Sequence, residues 1–493
     1  MFKILLKPCI IKMNRIQLIL LLALYTTICQ SQISISSQPI QKEIDNYVIQ
    51  LMDDYDITGA AVAIVKENKV IHQNYYGYAN KEFNVTVNEN TLFKLHSVTK
   101  PIVSTAIFQL IEQGKISLYN SITEYFDIYK KYSLITVAHL LAHTSGLREI
   151  EKNRNTKEIE NKNLVFQTEL QFKPGEQFQY AATNYWLLQK IVEKVTNQKF
   201  QDYIINQYFD GTKEDLVFSA DILEVIPNRT FEYYPNASQE LEIFEWYLPE
   251  YSHAAGGLNI TLNKMISWCH NFNENRLINQ KTKAKMWQQY PYRNDNSGRS
   301  YGWKINTVNG LKSYGHDGGG ISYLQVIPEQ DLTVIFLSNG YRQKYISFNV
   351  ATTLAGMTDR KLSIPFVLAY QKLDAAFNKK DDKNILNLIS QLKNDEKYRN
   401  LNFEDIINRL GYQRLYHYEF PRYEESIKLF KFNAQENPKN WNGYDSLGEA
   451  YENYGDIENA IKNYEIAINL NKDNEQTNND RLEKIIKSLK QRQ

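Results

Sequence analysis

An excess of charge of one sign is what this chain most clearly lacks. Lys and Arg number 57 against 56 Asp and Glu over 493 residues, a formal charge of +1. Proteins that grip a phosphate backbone carry a basic surplus, so no nucleic-acid partner is expected. Cysteine is scarce as well. Cys9, Cys29 and Cys269 supply neither a disulfide framework nor the clustered spacing of a metal site; no metal or other cofactor is expected. Beyond the N-terminal segment no apolar run approaches the roughly 20 residues needed to cross a bilayer. The mature chain is therefore expected to be soluble, with no transmembrane anchor.

What is present is apolar material for several cores: 43% of residues are hydrophobic and 13% aromatic, which excludes a wholly disordered chain. A length of 493 residues exceeds what one core organises, so two or three units are expected. The N-terminal segment has the shape of an export signal. Lys12 and Arg15 precede the apolar stretch Leu18–Leu24, and small and polar residues follow through Ser31. Residues 1–31 read as a signal peptide of a secreted or periplasmic protein, with Met13 the better-shaped start. Lipid attachment at Cys29 is the lesser alternative, because Ile28 is bulky where such sites take a small residue.

From about Gln41 to Met357 strand-like and helix-like segments alternate. Gly59–Val65 and Lys69–His72 read as strands joined at Glu67-Asn68, and Tyr323–Ile327 and Leu332–Leu337 as strands joined at Pro328–Asp331. Strands at both ends with helices between predict an α+β domain over 38–358 whose sheet joins distant parts of the chain. A helical linker is expected over 359–400. Over 401–493, Tyr444, Leu447, Gly448, Tyr451, Gly455, Ala460, Tyr464 and Ala467 follow the tetratricopeptide (TPR) spacing of a helical hairpin. A register about 34 residues earlier pairs Phe430 with Tyr464 and Ser426 with Ala460, but sets Gln413 and Arg414 where Leu and Gly belong.

The chemistry gathers in three segments. Ser97-Val-Thr-Lys100-Pro101 opens a helix whose apolar face is Val103, Ala106, Ile107, Leu110 and Ile111. Pro101 is tolerated only in a first turn, so the helix must begin close to Ser97, with Lys100 one turn on and on the same face. A buried lysine there can take the serine proton once its pKa falls towards neutrality. Alone, Ser-x-x-Lys is weak, and Ser390-Gln-Leu-Lys393 matches it inside an ordinary amphipathic helix. The second segment, Lys173-Pro-Gly through Tyr180, sets a turn and a tyrosine before an apolar helix. The third, Tyr314-Gly-His316-Asp-Gly318-Gly-Gly, is a glycine-rich approach to a strand. Alone, Tyr180 reads as a core residue and His316 as a turn residue; their order after Ser97 changes that.

Together with Leu140–Leu147 (Leu-Leu-Ala-His-Thr-Ser-Gly-Leu) and Ala255-Gly-Gly-Leu258, these segments resemble the serine β-lactamase and penicillin-binding-protein superfamily, in its class C-like branch of esterases, D-aminopeptidases and carboxypeptidases. The resemblance spans about residues 41–357. It implies a β-lactamase-like fold, with an antiparallel sheet flanked by helices and an all-helical part, followed by an all-α TPR-like region. It also implies roles: Ser97 as acylated nucleophile, Lys100 as its base, Tyr180 as general acid/base, and the Ser97 and Gly319 amides as oxyanion hole. His316 and Gly318 fall on the substrate-binding His-x-Gly variant of the family's Lys-Thr-Gly motif. One position departs. Where the family writes Tyr-x-Asn, this chain has Ala182, and Asn184 aligns with a later, structural position. A lost hydrogen bond there costs about 1–3 kcal/mol and disfavours efficient β-lactam hydrolysis.

Two functions compete on these residues. One is a secreted serine hydrolase acting through an acyl-enzyme on an ester, D-amino-acid peptide or β-lactam carbonyl. The other is a catalytically degraded binding protein whose TPR-like tail recruits a protein partner. The intact Ser97, Lys100, Tyr180 and Gly319 favour the first, Ala182 the second. The tail either offers a concave surface to a peptide or docks on the hydrolase domain. His143 and His253 read as structural rather than metal-binding, and Phe231–Tyr251, crowded with aromatic and acidic residues, falls where relatives shape their pocket walls.

Overall fold

The computed structural model describes residues 39–492 except 210–213, 237–239, 293–297, 341–345, 380–381, 417–420 and 472–475. The expected signal peptide, with Cys29, lies outside the described residues.

A seven-stranded antiparallel sheet forms the base. Its strands are β1 (Gly59–Lys66), β2 (Lys69–Asn80), β3 (Val85–Thr86), β4 (Lys304–Val308), β5 (Leu311–Gly318), β6 (Ser322–Ile327) and β7 (Leu332–Ser338), in the order β3-β2-β1-β7-β6-β5-β4. The two chain-distant halves meet at β1 and β7, where Ala60 pairs with Ser338 and Lys66 with Leu332. Glu67 and Asn68 both take positive φ, the conformation a two-residue hairpin turn requires. Strand β1 has no polar face because both faces are covered. Ala60, Val62 and Ile64 enter one core with Ile44, Val48 and Leu354, while Ala61, Ala63 and Val65 enter the other with Val103, Ile107 and Leu188.

The first core lies under helices α1 (39–54) and α4 (Ile346–Thr358). The second is the larger and lies under the all-helical part, where α2 (Thr99–Glu112) and α3 (Ala182–Thr196) cross. Helix α2 starts at Thr99, and Ser97 sits two residues earlier in a 3₁₀ turn, His96–Val98. Pro101 thus occupies the first turn, where its missing N–H has no bond to lose.

Among the described residues eight α-helices follow the last strand of the sheet. After α4 come α5 (Pro365–Asn378), α6 (Asp382–Asn394), α7 (Phe403–Leu415), α8 (Tyr423–Glu436), α9 (Trp441–Tyr454), α10 (Ile457–Leu470) and α11 (Gln476–Lys490). The stretch expected as a linker shares one apolar cluster with α7: Leu373, Ile389 and Leu392 pack with Phe403, Ile406 and Leu410. The second Ser-x-x-Lys lies on α6, with Lys393 half-exposed and 3.3 Å from Glu436.

The helical array is tied to the sheet-bearing part through α5. Tyr55 donates to Asp374 at 2.9 Å, Gln371 donates to Tyr47 at 3.0 Å, and Thr353 donates to Gln371 at 2.7 Å. Asp374 also meets Arg414 at 3.0 Å, both side chains buried, and Arg414 reaches on to Glu425 at 3.2 Å. One expectation is corrected here. A Cβ on Gly411 would sit 2.4 Å from the Phe430 ring, as one on Gly448 would sit 2.7 Å from that of Tyr464. Leu410-Gly411 therefore match Leu447-Gly448, one helical turn earlier than the even register placed them. More residues separate α7 from α8 than α9 from α10, which shifts the first helix but not the second.

Candidate active site

Three elements converge on Ser97. Phe93-Lys94 pairs with Ile260 and Asn259 and delivers the chain to the 3₁₀ turn. At the turn His96 is held at φ 46°, a conformation strained for any residue but glycine. Its ring is buried, 2.5 Å from the Glu232 carboxylate and packed on Trp246 at 4.6 Å between centroids. These contacts fix the residue that precedes the nucleophile. Strand β5 runs close behind: a Cβ on Gly318 would lie 2.0 Å from the Leu95 carbonyl, so only glycine lets β5 pass the turn. Gly318 packs there against Leu95, while His316, Asp317, Gly319 and Gly320 line the cleft.

Ser97 Oγ has two polar neighbours. Lys100 Nζ lies at 3.1 Å and the Tyr180 hydroxyl at 2.8 Å. Lys100 is 2% exposed, donates to the Ala255 carbonyl, and stands 4.8 Å from the Tyr180 ring centre and 5.1 Å from that of Tyr185. Burial, with the charge of Lys152 adding to it, pushes its pKa down to about 7. Tyr180 turns 41% of its surface to the cleft. The surroundings of its hydroxyl are desolvated, which raises its pKa well above the ordinary phenol value. At neutral pH the lysine is thus partly an amine and the tyrosine wholly a phenol. A neutral amine donates to Ala255 and keeps its lone pair for the serine proton, while Tyr180 donates to Oγ.

The Leu140–Leu147 phrase supports Tyr180 from behind. The His143 ring stacks on it at 4.3 Å, and His143 Nδ1 accepts from the Ala181 amide at 3.2 Å and the Asn184 amide group at 3.1 Å, which leaves the ring proton on Nε2. Burial holds His143 neutral. Asn184 also accepts from Ser145 at 2.6 Å and is buried, so it braces this loop and does not face Lys100. Ala182 opens α3, and its N–H donates to both Glu149 oxygens, at 3.0 and 2.9 Å. The second polar partner of Lys100 is a backbone carbonyl, and among the described residues no side chain takes the Asn role. His253 is held by Gln201 at 3.1 Å, and burial pushes its pKa down to about 4. Among the described residues no group of three or more His, Cys, Asp and Glu could hold a metal ion.

His316 is buried, and its Nδ1 lies 2.7 Å from the Asp317 carbonyl, so Nδ1 carries the proton and Nε2 is an acceptor. Burial keeps the ring neutral despite Asp317. A cation stands beside it all the same, since Lys304 on β4 is ion-paired with the Asp317 side chain. Gly319 and Gly320 follow at φ 59° and 82°. The Ser97 amide lies in the first turn of a helix, where no intrahelical acceptor exists.

Several participants carried no signal in the sequence: Glu149, His96 and Lys304 are ordinary residues until the fold assembles them, and Glu232 is marked only as one acidic residue of the 231–251 segment. Phe244 and Trp246 do line the cleft, within the aromatic segment singled out for pocket walls.

Residues 44–346 match the family model described as Beta-lactamase. Protein flp of Staphylococcus aureus (strain N315) is 30% identical over 179 residues, 34% of this chain and 36% of that protein. The putative penicillin-binding protein PbpX of Bacillus subtilis (strain 168) is 26% identical over 264 residues, 52% of this chain and 64% of that one. The matched region thus spans about a third to two thirds of these relatives. Among solved structures, the octameric penicillin-binding protein homologue from Pyrococcus abyssi superposes with a TM-score of 0.57 at 23% identity, over 67% of this chain and 81% of that one. EstCE1, described as a hydrolase with promiscuous acyltransferase activity, gives 0.54 at 20% identity, over 62% and 95%. These two likenesses are of fold. With more than half of its length matched by the family model, the chain belongs to the β-lactamase family, the β-lactamase and penicillin-binding-protein-like group of serine hydrolases.

Proposed function

We propose that the protein is a secreted or periplasmic hydrolase that works through an acyl-enzyme on Ser97, with esters or D-amino-acid peptides as better substrates than β-lactams. One observation carries the reading: a single hydroxyl lies within 3.1 Å of a buried amine whose pKa sits at about 7 and within 2.8 Å of an un-ionised phenol. Neutral Lys100 takes the Ser97 proton as Oγ bonds to the substrate carbonyl carbon. The oxyanion is received by the Ser97 and Gly319 amides, each such donor being worth roughly 3 kcal/mol in the transition state. Tyr180 gives its proton to the leaving group as the carbon–leaving-group bond breaks, and Lys100 returns the proton to Tyr180. Water then attacks the ester of Ser97 by the same relay in reverse. His316, as an acceptor, receives an N–H or O–H of the substrate where a true β-lactamase would present a lysine.

Ala182 supports a second reading, a binding protein that has lost turnover. The two readings separate on a phosphonate probe. The hydrolase reading expects a mass adduct on the peptide containing Ser97 and none in Ser97→Ala. A folded protein that takes no adduct favours the binding reading. Activated short-chain esters are expected to turn over faster than a chromogenic cephalosporin; the opposite ranking would show that the side chain missing at 182 matters little.

A further inference from the structure

The cavity above Ser97 does not end at the hydrolase part. It measures about 1340 Å³, larger than the roughly 300–1,000 Å³ of an ordinary small-molecule site. Part of its lining comes from the C-terminal array: Phe366 and Tyr370 on α5, and Arg409, Tyr412, Gln413 and Tyr416 along α7 and its end. Those on α7 recur at i, i+3, i+4 and i+7, a single helical face turned to the cleft. The rings are held in place. Tyr412 and Tyr416 lie nearly parallel, 6.0 Å apart, with both hydroxyls donating to Glu449. Tyr370 donates to Gln413, Phe366 stacks on Tyr370 at 6.3 Å, and the Arg409 guanidinium covers the Phe366 ring at 5.5 Å. The wall is fixed to the hydrolase part by the buried Tyr55–Asp374–Arg414 chain.

From this continuity we infer that the helical array is a specificity wall of the active site, and that it selects acyl donors carrying an apolar, ring-bearing extension that reaches from Ser97 to the aromatic faces of α5 and α7. The inference rests on the acyl-enzyme reading for its chemistry but not for its geometry. It also accounts for Gln413 and Arg414: one lines the cleft and the other ties α7 to α5.

The test compares 4-nitrophenyl esters of acetate, decanoate and 5-phenylvalerate on the full chain and on Phe366→Ala/Tyr416→Ala, with Tyr416→Phe as the conservative variant. The wild type is expected to prefer phenylvalerate, with decanoate between. The double variant is expected to lose about tenfold in kcat/KM on phenylvalerate, mainly through KM, with acetate unchanged within about twofold. Tyr416→Phe keeps the ring and is expected to keep the preference. Equal loss on acetate and phenylvalerate, or no loss on either, overturns the wall. A preference for decanoate over phenylvalerate overturns the ring-bearing class. If the wild type hydrolyses no ester and takes no phosphonate adduct, the acyl-enzyme reading fails separately. Calorimetry with the N-methyl amide of 5-phenylvalerate then decides the wall: about tenfold weaker binding by the double variant supports it, and equal or absent binding overturns it.

Discussion

Lys100 is an amine that the fold has made a weak base, and the sign of its response to pH follows. Below about pH 7 it is ammonium and cannot take the Ser97 proton; above, it is free to do so. The kcat/KM for an activated ester should rise with pH to a plateau, half-maximal near 7, with no loss just above it because Tyr180 remains a phenol. Two neighbours pull this limb in opposite directions. The Lys152 charge lowers the Lys100 pKa and the Glu149 charge raises it. Lys152→Met should therefore move the limb to higher pH and Glu149→Gln to lower pH, read from the pH profile. Shifts of the same sign in both would sink the electrostatic account. Removing the base altogether, as Lys100→Ala, should cost on the order of 10²–10⁴ in rate.

At the scale of the element, the weight falls on the joint between α5 and α7. Asp374 and Arg414 are both buried, at 3.0 Å, with Tyr55 and Glu425 at either end. Breaking such a pair from one side leaves Arg414 buried with only the partly exposed Glu425 opposite it, where a wholly uncompensated buried charge costs about 3–5 kcal/mol. Asp374→Asn should lower stability by up to that amount in denaturant titration, whereas replacing both partners by apolar residues should recover much of the loss. The 3₁₀ turn at His96–Val98 is a second such element. Its strain at His96 persists because Glu232 and Trp246 hold the ring, which keeps Ser97 aimed at the cleft.

For the whole molecule the question is whether the array is an appendage or part of the enzyme. Helix α5 covers α1 and α4 through Tyr47, Tyr55 and Thr353. A chain ended after Thr358 would expose those polar groups and open one side of the cleft. It should melt lower by more than about 5 °C and lose selectivity between short and ring-bearing esters. Unchanged melting and selectivity would return the array to a surface for partners alone.

The sequence by itself determined the parts whose chemistry is local: the helix start that Pro101 forces beside Ser97, the period-2 and 3.6-residue patterns of strands and helices, and the spacing that marked Tyr180 and His316. It also placed the Ala182 departure, because that is a matter of identity at a position. What it could not carry is any property that depends on which distant face is opposite. The pKa of Lys100 depends on burial, the support of His96 on a carboxylate 136 residues away, and the roles of Gln413 and Arg414 on where α7 meets α5. A one-dimensional register treated those two as flaws in a repeat. Tertiary structure alone decided them, since desolvation and contact are set by neighbours in space, which the order of residues along the chain does not name.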